Sequence, residues 1–210
     1  MVLAGFFRGL AACRTGLAQA VRRERGFALA LLVLLGSIPA GLVGVGLGGF
    51  VEDLFASPHV AAGALLLTGT FLFVTRYARG TRRDGQVGWL DAILIGLAQA
   101  VAICPGISRS GATISAGLFR GVHRADAARF SFLLLIPATV GAAVLELRGL
   151  PSVPTGTLGP VLLGGAVSVV VGFLALLSLI RVVIAGKLHY FSYYCWVVGV
   201  LAMTWLVMAG

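Results

Sequence analysis

The sequence predicts an all-α polytopic membrane protein containing one broken helical hairpin. Composition makes the first case: 59% of the 210 residues are apolar, 11% are charged, and mean hydropathy is +1.03. The second observation is charge placement, since the basic residues behind the net charge of +9 sit in short clusters between apolar runs. That is a membrane-topology pattern rather than a nucleic-acid-binding face. The third is the stretch Leu90–Gly121, LDAILIGLAQAVAICPGISRSGATISAGLFRG, in which two apolar runs flank a polar turn.

The two runs, about 15 and about 9 residues, both fall short of the roughly 20 needed to span a bilayer as helix. They reach roughly 22 Å and 14 Å, which would leave the turn Ile107-Ser108-Arg109-Ser110-Gly111 well inside a core of about 30 Å. This is the sequence form of a re-entrant hairpin entering over Leu90–Phe119. Irregular backbone at that depth is tolerated where it is buried in protein or lines a wet cavity.

The turn's chemistry points to an anion, most simply phosphate. Arg109 at mid-depth costs about 2.5–3.5 kcal/mol on insertion scales unless it is paired or hydrated. Its planar fork matches phosphate oxygens. The second half-helix is expected to begin just after Arg109, turning the amides of Ser110, Gly111 and Ala112 toward the ligand. Ser108, Ser110 and Thr113 add hydroxyls that either bind phosphate or water, or cap the helix. Gly106 and Gly111 would let backbone approach a ligand closely, and Pro105 shapes the turn. Gln99, an amide in the first half-helix, is either a site residue or helix–helix glue.

The remaining elements follow in order. Met1–Phe7 and the arginines behind it read as the last turns of a transmembrane helix, because a signal peptide carries its charge first. A mitochondrial transit peptide is the rival reading. Phe27–Gly49 is a full span, broken at Ser37-Ile38-Pro39, with Gly41, Gly44, Gly46, Gly48 and Gly49 expected to allow close packing. Val51–His59 is a short loop and Val60–Val74 returns across. Phe130–Leu147 crosses with a kink at Pro137, Gly149–Pro160 is a loop, Val161–Ile184 is a long span, and Tyr193–Met208 is the last. Trp196, Trp205, Tyr190, Tyr193 and Tyr194 are expected at interfaces. The count is four clear spans, the N-terminal remnant and the hairpin. Arg22–Arg25, Arg76–Arg83, Arg120–Arg129, Arg181 and Lys187 assign one side to the cytoplasm, and Glu52, Asp53 and Arg148 the other, with the C-terminus outside. Three isolated cysteines form neither a zinc site nor a disulfide framework.

GLAQAVAICPGISRSGATISAGLFRG resembles the signature of the undecaprenyl-diphosphate phosphatase family, the bacitracin-resistance protein family. Ala127–Ala138 (AARFSFLLLIPA), Ser37–Gly41 (SIPAG) and Tyr193-Tyr194 are also similar, so the resemblance covers essentially the whole chain. It implies an inverted-repeat bundle, each half a re-entrant hairpin followed by three spans. Residues 1–89 would be the remainder of the first repeat, N-terminally truncated, and 90–210 a complete second repeat, within one membrane domain.

The resemblance also implies removal of the terminal phosphate of undecaprenyl diphosphate, dependence on a divalent cation (Mg or Ca), and a multi-pass place in the bacterial inner membrane. Partners would be the polyprenyl diphosphate lipid and the membrane, without nucleic acid, and with homo-oligomerisation left open. Arg109, Ser108 and Thr113 are the catalytic candidates. Ser110, Gly106, Gly111 and Gln99 are the substrate-binding candidates. The family's acidic residues and Ser/His turn belong to a first hairpin that is expected to precede Met1, so no metal ligand, nucleophile or base is assigned here. On that expectation the chain from Met1 binds polyprenyl phosphates weakly and turns them over poorly. A lipid-phosphate carrier or flippase and a binding-only remnant are the alternatives.

Overall fold

The computed structural model describes residues 25–78, 80–82, 87–149 and 158–209. The N-terminal remnant, Cys13, and most of the loop after Gly149 lie outside the described residues. Eight α-helices follow one another there: α1 (Arg25–Gly46), α2 (Gly48–Ala56), α3 (Pro58–Val74), α4 (Trp89–Val101), α5 (Arg109–Phe119), α6 (Arg124–Gly149), α7 (Leu158–Ile184) and α8 (Tyr190–Ala209). Among the described residues no β-strand forms, and a single isolated bridge joins Arg82 to Val122.

Five helices are long and apolar enough to cross a membrane, one more than the count of clear spans. The apolar stretch Val60–Val74 is short by itself. Its helix starts at Pro58, suited to a first helical turn, and a 3₁₀ turn carries it on, giving the 20-residue span Pro58–Tyr77.

Two local expectations are corrected. α1 does not break at Ser37-Ile38-Pro39 but runs through Pro39. Proline removes one intrahelical donor, and the adjacent Ser37 hydroxyl bonds the Val33 carbonyl at 2.8 Å, so the rest of the ladder persists. The segment read as the loop Val51–His59 is mostly helical, as α2, with no buried residue.

Close packing is made by other glycines than those expected. A Cβ on Gly41, Gly44, Gly46, Gly48 or Gly49 would meet nothing within 4 Å, whereas one on Gly96 would run into the Gly36 carbonyl. A Cβ on Gly36 would lie 2.8 Å from the Ala92 carbonyl oxygen, so α1 and α4 touch backbone to backbone. α3 and α8 form the other close pair, with the Trp196 ring 2.6 Å from where a Cβ on Gly69 would sit. Trp196 is therefore seated between helices beside Phe73, with ring centroids 5.2 Å apart, while Trp205 stays exposed as an interfacial ring would.

The ends of six elements converge on one basic face. The Arg82 and Thr81 amides donate to the Gly121 carbonyl, Arg124 reaches the Ala78 carbonyl, and Gly186 lies against the Arg124 guanidinium. Arg82, Arg120, Arg124 and the 185–189 connection thus share one end of the bundle. From this face α4 runs inward, the chain turns, and α5 runs back.

A cationic turn beside an apolar groove

Asp91 anchors the mouth of the hairpin. Its carboxylate accepts the Gly88 amide at 3.0 Å, as an acidic residue three positions into a helix does in a capping box. It also accepts Arg82 Nη2 at 2.7 Å and Arg120 Nε at 2.8 Å. Arg82 Nη1 further donates to the Arg120 carbonyl at 2.9 Å, tying the start of α4 to the end of α5. Asp91 lies outside the five spanning helices. Burial by itself would raise its pKa, but hydrogen bonds from Arg82, the Gly88 amide and Arg120, with the Arg82 charge, outweigh burial and hold it at about 2.

At the inner end the half-helices have 13 and 11 residues, so the first stops at Val101, before Pro105 is reached. Gly106 takes φ +88°, open to glycine and strained for other residues. Its backbone is pressed against the Ala61 carbonyl of α3, and the Thr68 hydroxyl donates to its carbonyl at 3.0 Å. The Ser108 amide returns a bond to Thr68 Oγ1 at 3.3 Å. Thr68 is near the middle of its span, so the turn docks at mid-height of α3.

Ser108 is the N-cap, its hydroxyl accepting the Gly111 amide at 3.1 Å. α5 therefore begins at Arg109 itself, one residue earlier than expected. A Cβ on Gly111 would meet Ser108 Oγ at 2.9 Å, so this glycine, like Gly106, makes room for protein rather than for a ligand.

Arg109 and Ser110 line a cavity of about 310 Å³ together with Ser131, Phe132, Leu135, Gly172, Ala175, Leu176 and Leu179. Its polar end is the start of α5 plus Ser131; its walls are apolar faces of α6 and α7. Among the described residues the Arg109 guanidinium has no carboxylate or other hydrogen-bond partner. Thr113 lies directly behind, 1% exposed, its hydroxyl 2.9 Å from the Arg109 carbonyl and 2.5 Å from Ser131 Oγ.

The seven residues singled out in the sequence thus divide. Arg109 and Ser110 face the groove, Thr113 backs it, and Ser108, Gly106 and Gly111 build the turn. Gln99 is buried in α4 and does not line the groove, and neither amide atom has a hydrogen-bond partner among the described residues. Ser131 was missed. Its signal was a lone hydroxyl inside the apolar run Phe130–Ile136, a place where a polar group needs a partner or a purpose.

No group of three or more His, Cys, Asp or Glu side chains is placed to hold a metal ion among the described residues. Asp91, the carboxylate within the hairpin, is committed to two arginines at the opposite end. The donors present do not fit a divalent cation.

Taken together, these features describe a polytopic membrane protein whose helical hairpin carries an arginine to the end of an apolar groove. A family model described as bacitracin resistance protein BacA matches residues 1–201, and the chain belongs to that family. Three relatives are each named undecaprenyl-diphosphatase. The protein of Desulforapulum autotrophicum is 43% identical over 186 residues, covering 88% of this chain and 67% of its own. That of Desulfatibacillum aliphaticivorans is 44% identical over 199 residues, 93% and 72% respectively. That of Methanothermobacter thermautotrophicus is 41% identical over 177 residues, 82% of this chain and 97% of its own.

Proposed function

We propose that this protein is an undecaprenyl-diphosphatase, releasing phosphate from undecaprenyl diphosphate to return the monophosphate lipid carrier to cell-wall synthesis and so confer bacitracin resistance. One observation carries the reading: a guanidinium with no partner among the described residues, at a helix N-terminus, sits at the polar end of a groove with apolar walls. An ionised headgroup and a hydrocarbon tail on one molecule match those two ends. Membership of the family and the shared name of its relatives support the same activity.

In the reaction, a water oxygen bonds to the terminal phosphorus and the bond from that phosphorus to the bridging oxygen breaks. Inorganic phosphate leaves, and the lipid keeps the other phosphate. Charge grows on the phosphoryl and bridging oxygens, and fixed positive charge near them lowers the barrier. Arg109 supplies that charge in a bidentate geometry, and the first amides of α5 add the positive end of the helix dipole. Ser110 offers a hydroxyl at the same end. Phe132, Leu135, Leu176 and Leu179 take the first isoprene units and keep water from the tail. A divalent cation is compatible with such a phosphatase, but the described donors do not fit one.

The same reading makes the hairpin re-entrant from the basic face, with that face cytoplasmic, the C-terminus outside, and the protein in a bacterial inner membrane. The one-sided arginines support it. Residues 1–89 and 90–210 are then the two repeats of one membrane domain.

The test is phosphate release from a polyprenyl diphosphate by the purified protein, compared with Arg109→Lys. Lysine keeps the charge but loses the planar fork and is more strongly hydrated. Turnover should fall by at least about tenfold, equivalent to roughly 1.4 kcal/mol of transition-state stabilisation. Variant activity within twofold of wild type removes Arg109 from the reaction. Substrate bound and moved between leaflets without phosphate release would instead identify a lipid-phosphate carrier.

A further inference from the structure

We propose that Ser131 is the side-chain hydroxyl that binds the substrate's phosphate at the polar end of the groove, and that Thr113 is a positioning residue acting through it. This rests on the diphosphatase reading and names a contact which that reading leaves open.

The two hydroxyls have fewer protons than the oxygens around them can accept. Thr113 Oγ1 is buried and sees three oxygens: the Arg109 carbonyl at 2.9 Å, the Ser110 carbonyl at 3.3 Å and Ser131 Oγ at 2.5 Å. It has one proton to give. Ser131, 5% exposed, lines the cavity, and Thr113 is its hydrogen-bond partner among the described residues. One bond leaves a serine hydroxyl with capacity to spare, and the spare capacity faces the groove.

Two arrangements satisfy the pair. Without an anion, Thr113 donates to the Arg109 carbonyl and Ser131 donates to Thr113. With a phosphate oxygen in the groove, Ser131 turns its proton to the anion, and Thr113 turns its own to Ser131. The Arg109 carbonyl then keeps its ordinary bond from the Thr113 amide, four residues on in α5. No buried group is orphaned by the exchange. A hydroxyl that accepts one hydrogen bond donates a stronger one, so the chain Thr113–Ser131–phosphate reinforces itself. Thr113 cannot serve alone, because it is shielded behind Ser131 and the α5 backbone. The pair also fixes α5 against α6, holding Arg109 and Ser131 at one end of the same cavity.

The experiment measures KM and kcat for farnesyl diphosphate, and Kd for farnesyl phosphate, in detergent. The proteins are the wild type, Ser131→Ala, Thr113→Val, Thr113→Ser and the Ser131→Ala/Thr113→Val double variant, each checked for thermal unfolding. Removing a hydrogen bond to a charged group should raise KM and Kd about tenfold in Ser131→Ala. kcat should stay within a few-fold, the mark of binding lost equally from ground and transition states. Thr113→Val should weaken binding by about threefold or more and Thr113→Ser should restore it. The double variant should bind no worse than Ser131→Ala. If Ser131→Ala does not fold, Ser131→Cys, similar in size and a weak donor, reads the same loss.

A Ser131→Ala protein that binds within twofold of wild type, or a double variant whose losses multiply, overturns the proposal and leaves the diphosphatase reading standing. A wild type that binds neither lipid overturns both.

Discussion

Asp91 holds together two arginines that the chain delivers from different connections, one before the hairpin and one after it. Its folded pKa of about 2 lies below the ordinary aspartate value of 3.8. The unfolded state therefore binds more protons between those values, and stability rises with pH across them. The contribution, on the order of 2 kcal/mol, is complete above about pH 5 and is lost as pH falls from about 4 to 2. Asp91→Asn should lower the melting temperature in detergent at pH 7 and approach wild type near pH 2. A difference between the two proteins that stays constant from pH 7 to pH 2 would show that the ion pairs contribute nothing to stability. The sequence puts Asp91 second in the stretch Leu90–Gly121. It did not reveal the two arginines, because Arg82 and Arg120 are 38 residues apart and meet only once the hairpin closes.

At the scale of elements, backbone contact adds to side-chain packing in holding the hairpin, whose Ile95, Ile114 and Leu118 share one core with Val33, Leu72 and Leu134. α4 lies on α1 through Gly96 and Gly36, and the turn lies on α3 through Gly106 and Thr68. Where two backbones touch, an added methyl has no flexible neighbour to displace, so Gly96→Ala must push the helices apart. Overpacking of that kind costs about 1–3 kcal/mol, or about 3–10 °C in melting temperature for a chain of this size. Gly41→Ala, in α1 with open space around its Cβ, should be neutral or slightly stabilising, since alanine is the better helix former. Equal shifts for the two variants would sink the packing account. The glycine content of α1 was plain in the sequence, but which glycine touches a partner depends on where the crossing point falls. A helix pattern does not contain that information.

At the scale of the molecule, charge and apolar length organise the chain into a basic face and an opposite one. Single cysteines introduced into a cysteine-free background at Glu52 and at Met208 should label with a membrane-impermeant reagent from outside intact cells. A cysteine at Lys187 should label only after the membrane is opened. The reverse pattern would invert the topology. The structure is consistent with a shared side for the basic connections, because Arg82, Arg120, Arg124 and Gly186 meet at one end of the bundle. α7, with 6% of its apolar window buried, stands almost wholly open to the surrounding phase along a 26-residue span.

Local chemistry settled much of this in the sequence alone. Apolar runs of spanning length specify transmembrane helices because backbone polar groups must bond internally in lipid. A Pro-Gly turn between two short runs specifies a hairpin, and an arginine at such a turn makes an anion the expected ligand. Those inferences need only nearest neighbours along the chain, so the all-α membrane class, the hairpin and Arg109 were legible. What the sequence could not contain is which distant groups meet. Gly106 became a packing position against α3, and Gln99 was buried in α4. Ser131 arrived beside Thr113 from 18 residues away to complete the groove. Each depended on how α6 crosses α5 and how the turn docks on α3. Crossing geometry is decided by the packing of surfaces from separate segments, and it exists only in the folded molecule.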